Sequence, residues 1–351
     1  MNMQHVLDLI LDKIRRDYQD DIAIFVIMGS HLYHETHPKS DLDMYYIPKT
    51  NKGYELASVF IMEGIGFDLW PISWERIERI AKHEERLGSI VSEGQIVYYG
   101  CEEDLMKFKA LQDKATDKSQ TGHFIYRSKS QMRSVYQELY FLDQASMLSK
   151  ARYHAVQIIY GLTYALALLN QSPIKRGRGK LLSEIQAMAR IPNDFEKDYR
   201  NIFQTEKMDD LKRSVHHLVY STQHLVDQVW YDLIQDSFTN EAQGFYEELI
   251  NHYNKIERAY HINDPYTAFY VAAEIDHEID DIIAHRGVSL DELPDLLEAY
   301  DANNLSHIYE RSKEHQKKLV DILLNHGIKI NYVTDLEALK AFLDRKKGEL
   351  S

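Results

Sequence analysis

Nearly every strand signal in this 351-residue chain falls before residue 100, and almost everything after it follows a helical period. Ile22 to Met28 is a short apolar run rich in β-branched residues, the pattern of a buried strand, closed by Gly29. Leu42, Met44 and Tyr46 alternate with Asp41, Asp43 and Tyr45, which predicts a strand with one apolar and one acidic face, stopped by Pro48. A further strand is expected over Gly64 to Ile72, where Phe67 and Leu69 oppose Asp68, and a last one over Gln95 to Tyr99. Helices are expected over residues 3–17, over Trp74 to Glu85 and from about Glu102, while residues 54–63 fit helix or strand.

The polar, turn-prone stretch from Thr116 to Gly122 reads as a linker. Beyond it, helical patterns run over 124–148, 151–170, 179–190, 194–204 and 207–235, with short breaks such as Gln171-Ser172-Pro173. A second change of composition at Asp236 to Asn240 leads into more helix, with stops at Asn263-Asp264-Pro265, Gly287 and Gly327. The expected organisation is α+β over 1–118, a helical bundle over 122–236 and a C-terminal helical region over 240–351.

Charge and cysteine use narrow the function. A net charge of -14 opposes tight nonspecific binding to nucleic acid or to anionic membrane, both of which need clustered Lys and Arg, and it suits a cationic small molecule better. The single cysteine, Cys101, excludes an internal disulfide and a cysteine-rich zinc site, as in a reducing cytoplasm. Asp8, Asp12 and Lys13 interrupt the N-terminal apolar residues, so no signal peptide is expected, and no run is long enough to span a membrane. The chain has 24 tyrosines, and the tyrosine-rich helices offer a face for a homodimer.

Acidic residues on the strands carry the chemistry. Magnesium takes hard oxygen ligands, usually one or two carboxylates plus substrate phosphate oxygens, and Asp41 and Asp43 supply such a pair. Asp68, expected on a neighbouring strand, would complete a second ion site, so that two magnesium ions clamp an in-line displacement at phosphorus. Gly29 permits close backbone approach, and Ser30 offers a hydroxyl and an amide to phosphates. Ser40 directly precedes the acids and is a further candidate for nucleotide contact. Together these residues predict transfer of a nucleoside monophosphate from ATP or another NTP.

Residues 22–72 resemble the catalytic core of the DNA polymerase β nucleotidyltransferase superfamily, whose members combine Gly-Ser, Asp-x-Asp and a third acid on a small mixed sheet. The helical continuation resembles the kanamycin nucleotidyltransferase group, which adenylylates an aminoglycoside hydroxyl with ATP and magnesium. That resemblance implies a small, cationic acceptor and a glutamate general base on the helical domain. Glu138 is its nearest counterpart and Asp143 the second. Many superfamily members carry arginine just after Gly-Ser; here the connector reads His31-Leu32-Tyr33-His34-Glu35-Thr36-His37.

Other candidates are weaker. Lys175, Arg176, Arg178 and Lys180 stand among glycines in an acidic chain, and Lys175 and Arg176 are the expected phosphate contacts. His31, His34 and His37 recur every third residue, but without cysteine they read as surface histidines rather than zinc ligands. Glu274, His277 and Asp281 share a helical face that reads as an acidic surface. Two other functions fit the same motifs: adenylylation of a protein or RNA partner in an antitoxin-like role, and a nucleotide-binding or interaction protein without catalysis. Arg311 and His315 are too closely spaced for the helical toxin motif that accompanies such antitoxins, and the three acids argue against loss of catalysis.

Overall fold

The computed structural model describes residues 3–33, 36–234, 238–282 and 288–348. Helix α1 (Met3–Asp17) buries Val6, Leu7, Leu11 and Ile14 along one stripe. Five strands follow in the chain: β1 (Ile22–Met28), β2 (Asp43–Pro48), β3 (Ser58–Met62), β4 (Ile65–Pro71) and β5 (Gln95–Tyr99). They form one sheet in the order β3-β4-β2-β1-β5, in which β2 and β4 run parallel and the other pairs antiparallel. The α+β expectation holds, with a mixed sheet followed by helices.

Period-two alternation sends the two halves of β2 to opposite cores. Met44 and Tyr46 pack with Phe67, Leu69 and the apolar stripe of α1. On the other face, Tyr45 and Ile47 pack under α2 (Trp74–Ala81), α3 (Gly88–Ser92) and α4 (Glu102–Thr116) through Ile77, Val91 and Phe108. Each such side chain contributes about 1.5–3 kcal/mol by leaving water. The buried Tyr45 hydroxyl donates to the carbonyl of Ile90 at 3.0 Å, which offsets its desolvation.

Two details differ from the sequence reading. Asp41 and Leu42 precede β2 rather than belonging to it, because the strand starts only where Asp43 finds its partner Met28 on β1. The ambiguous stretch 54–63 divides into a 3₁₀ turn over Lys52–Leu56 and the edge strand β3.

Two long helices follow, α5 (Thr121–Gln144) and α6 (Leu148–Leu169). Ser128 Oγ donates to the carbonyl of Ala165 at 2.8 Å, tying the start of α5 to the end of α6. Because α6 is apolar nearly all round, it forms the centre of a cluster completed by α7 (Leu181–Gln186), α8 (Phe195–Gln204) and α9 (Met208–Ile234). The expected helix over 179–190 is shorter, since 178–180 forms a 3₁₀ turn and Pro192 disfavours helix just before it.

The chain divides into two compact units, 1–230 and 231–351. The linker at 116–122 lies inside the first, and residues 235–237, at the second composition break, lie outside the described residues, as does Gly287. The second unit contains α10 (Phe238–Glu241), α11 (Phe245–Ile262), α12 (Pro265–Ile282), α13 (Ser306–Asn325) and α14 (Leu336–Gly348) around a core of its own that includes Leu249, Ile256, Ile275 and Leu319. Asn263 ends α11 in the left-handed region, and Asp264 caps α12 by accepting from the Thr267 N–H at 3.1 Å, with Pro265 at the first helical position. No helix among the described residues is long and apolar enough to cross a membrane.

Candidate active site

Where β1 ends, Gly29 adopts φ +75 and starts a 3₁₀ turn through His31. That turn lies directly against Asp43: a Cβ at position 29 would stand 2.7 Å from Asp43 Cγ, and the Ser30 N–H donates to the Asp43 carboxylate. Only glycine fits here, on both backbone and steric grounds. Asp68 follows from sheet register. Met44 pairs with Leu69 in the parallel β2–β4 ladder, so one step back Asp43 and Asp68 are neighbours on adjacent strands and share a face. Adjacent strands are about 4.8 Å apart. Asp41 precedes the strand on the same chain segment and is half-buried, like Asp43, whereas Asp68 is exposed.

Burial raises the Asp43 pKa above the ordinary carboxylate value, and the nearby Asp41 charge raises it further. His31, Arg178 and the Ser30 N–H oppose that rise. Among the described residues none of the three acids has a salt-bridge partner, and no three His, Cys, Asp or Glu side chains are grouped so as to enclose a metal by themselves. A close carboxylate pair with mutual repulsion and open oxygen atoms is nonetheless the donor set that magnesium takes when substrate phosphates complete its shell.

The basic loop after Pro173 folds over this turn. Arg176 lies 5.9 Å from the ring centroid of Tyr33, in the connector that follows Ser30, and Arg178 is close enough to Asp43 to act on its pKa. Of the two expected phosphate contacts, Lys175 forms an ion pair with Glu93 at 2.7 Å, and Arg176 one with Glu184 at 3.0 Å. Glu184 also accepts from the backbone N–H of both residues, so it fixes the loop's shape. Of the loop's cations, Arg178 is the one whose charge acts on Asp43. Sequence reasoning placed it in the loop but did not select it; its position between Gly177 and Gly179, where the backbone is free to turn, was the available signal.

The remaining candidates are dispersed. Ser40 is buried and its Oγ accepts from the His37 N–H at 2.9 Å, bracing the connector. His37 Nδ1 accepts from the Lys39 N–H, and His34 lies outside the described residues. Glu138 pairs with His154 on α6 at 2.9 Å, about three turns along α5 from Arg127, which bridges to Glu84 beside the sheet. Asp143 pairs with His216 on α9 at 2.8 Å. Glu274 is directed to His252, 3.6 Å away on α11, consistent with an acidic helix face.

A cavity of about 240 Å³ adjoins the loop, lined by His83, Arg86, Ser89, Tyr160, Tyr164 and Lys175 among others. Its floor is tied together by the Tyr164 hydroxyl, which donates to the carbonyl of His83 at 2.9 Å.

No family model matches the chain, and no curated protein matches it. Among solved structures, the chain is similar to a nucleotidyltransferase-like protein from Exiguobacterium sibiricum 255-15, with 12% identity, coverage of 94% of this chain and 95% of that one, and a TM-score of 0.38.

Proposed function

We propose that the protein is a magnesium-dependent nucleotidyltransferase that moves a nucleoside monophosphate, AMP from ATP in the first instance, to a hydroxyl of a small acceptor. One observation carries this reading: among the described residues Asp43, packed against the glycine turn that ends β1, has the Asp41 carboxylate near enough to raise its pKa and Asp68 beside it by sheet register, and none of the three has a salt-bridge partner. A structural role would favour pairing or neutralising such acids, since their repulsion and burial cost stability.

In the proposed reaction the acceptor oxygen forms a bond to the α-phosphorus. The bond from that phosphorus to the oxygen bridging to the β-phosphate breaks, and its electron pair leaves with pyrophosphate. Asp68, exposed and beside Asp43, takes the hydroxyl proton. Asp41, Asp43 and Asp68 would hold magnesium, which when bound neutralises charge on the phosphates and lowers the acceptor hydroxyl pKa. The Gly29-Ser30 turn lets phosphate approach the backbone closely, and Arg178 supplies the positive charge that the connector after Ser30 lacks. Glu138 stays in its pair with His154 and is a second candidate base only if that pair opens.

The test is to incubate the full chain with magnesium, each NTP and a panel of hydroxyl-bearing small molecules, and to follow pyrophosphate release together with acceptor mass. A gain of one nucleotide residue by an acceptor, abolished in Asp43→Ala, supports the proposal. Absence of any modified acceptor, with NTP binding unchanged in Asp43→Ala, overturns it, and a mass gain on a protein would move the acceptor class to polypeptide.

A further inference from the structure

The cavity beside the basic loop has a charge opposite to that of the chain. Its lining holds three cations, Arg86, Lys175 and Arg176, against one carboxylate, Glu85, in a protein whose net charge is -14. Glu85 is already held by Arg76, with guanidinium contacts at 2.9 and 3.2 Å. Lys175 and Arg176 have their own carboxylate partners, but among the described residues no carboxylate pairs with Arg86, which is exposed and whose charge reaches the Tyr164 hydroxyl. An unneutralised guanidinium at a pocket edge attracts carboxylate or phosphate oxygens, often through two parallel hydrogen bonds.

The walls are otherwise rings and aliphatic groups. Phe124 and Tyr160 line the cavity with Leu87, Ala167 and Ile174, and the His83 ring lies tilted against Phe124 at 4.8 Å between ring centroids. Burial pushes the His83 pKa down, aided by the nearby Arg127, so the ring is neutral at pH 7 and adds no charge. Ser89, Thr163 and Ser172 supply hydroxyls. At about 240 Å³ the space suits a molecule of roughly one ring, below the usual drug-sized pocket. The loop that forms one wall continues directly from Gly177 into Arg178, whose charge acts on Asp43, so the cavity and that acid are linked by one short segment.

We propose that this cavity is the acceptor subsite and that it takes an anion: a small hydroxyl-bearing carboxylate or phosphate ester with an apolar or aromatic body. The word acceptor rests on the transfer reading; the anion site does not. This replaces the cationic acceptor implied by the resemblance to aminoglycoside enzymes, because a cation would meet Arg86, which among the described residues no carboxylate neutralises, at the wall.

The test uses phenyl phosphate and benzylamine as probes on the full chain, by ligand-observed NMR without nucleotide or metal. Phenyl phosphate is expected to bind and benzylamine not to. Arg86→Glu should weaken phenyl phosphate at least tenfold with an unchanged melting temperature, and Ser89→Phe, which fills the cavity, should do the same without altering charge. Equal or tighter binding of benzylamine, indifference to both substitutions, or displacement of phenyl phosphate by uncharged adenosine would each overturn the proposal, the last by marking the cavity as a base site. Selective anion binding with no NTP consumed in the presence of any hydroxyl-bearing anion would support the anion site and sink the transfer reading instead. Transfer confined to cationic acceptors would do the reverse.

Discussion

Gly29 and Asp43 are packed so closely that a methyl group on the first would collide with the carboxylate of the second. The contact joins the end of one strand to the start of its antiparallel neighbour, and it turns a flexible residue into a fixed wall of the acidic site. Gly29→Ala therefore meets two penalties, a left-handed backbone at φ +75 and the steric clash. A loss of about 1–3 kcal/mol in unfolding free energy is expected, with loss of magnesium-dependent nucleotide binding beyond what that instability explains. Denaturant melts and nucleotide titration of the folded variant check both parts; an Ala variant with wild-type stability and binding would show that the turn is not fixed.

Asp43→Asn should separate stability from activity. The pKa of Asp43 is raised by burial and then by Asp41, so its ionised form is disfavoured in the fold, and the penalty is present in full at neutral pH. As pH falls through the raised pKa the native carboxyl takes up its proton and the penalty disappears. Asn retains an acceptor for the Ser30 N–H without the charge. A gain on the order of 1 kcal/mol at pH 7, shrinking toward acid pH, is expected together with loss of transfer. A destabilised Asn variant would mean that the charge is compensated.

Arg178→Ala should weaken nucleotide binding roughly tenfold to hundredfold, the usual worth of a charge-assisted phosphate contact. Because the side chain is exposed, the melting temperature should stay within error. Lys at 178 keeps the charge but loses the planar fork, and should recover only part of the affinity. Calorimetric titration with magnesium and ATP distinguishes these outcomes, and equal affinity in all three proteins would remove Arg178 from the phosphate grip.

Asp43 and Asp68 could be placed from the sequence because each belongs to a strand whose period of two says which face it occupies, and Gly29 because it closes the apolar run of β1. Asp41 was read into the same strand, since alternation continues past the point where β1 stops offering partners. Arg178 was not singled out, because nothing local says that a loop between α6 and α7 returns to the turn after β1; that is a tertiary fact. The same limit applies to Glu138, whose partner His154 lies on another helix and can be found only once α5 and α6 are packed. Lys175 and Arg176 had the right charge, but Glu93 and Glu184 compete for them from positions that spacing alone cannot reveal.

In the second unit, Asp276 and His315 make opposite contributions to pH dependence. Burial, then Asp295 and Asp280, push the Asp276 carboxyl up to about 6, whereas burial pushes His315, hydrogen-bonded to the Tyr253 hydroxyl at 2.8 Å, down to about 4. For Asp276 the folded pKa exceeds the unfolded one, so its stabilising protonated form is lost as pH rises from the ordinary carboxylate range through about 6. For His315 the folded pKa lies below the unfolded one, so stability is lost as pH falls from the ordinary imidazole value toward about 4. Asp276→Asn removes the first effect and leaves the second. Since Asp276 is only partly buried, solvent screening reduces its penalty, and a gain on the order of 1 kcal/mol above about pH 6 is expected. That gain should fade as pH falls from about 6 toward the ordinary carboxylate value, while the acid sensitivity due to His315 remains. Hydrogen exchange of the Leu249 and Leu319 amides across pH 4 to 8, in wild type and variant, reads the difference, and a variant curve parallel to wild type throughout would rule out the raised carboxyl.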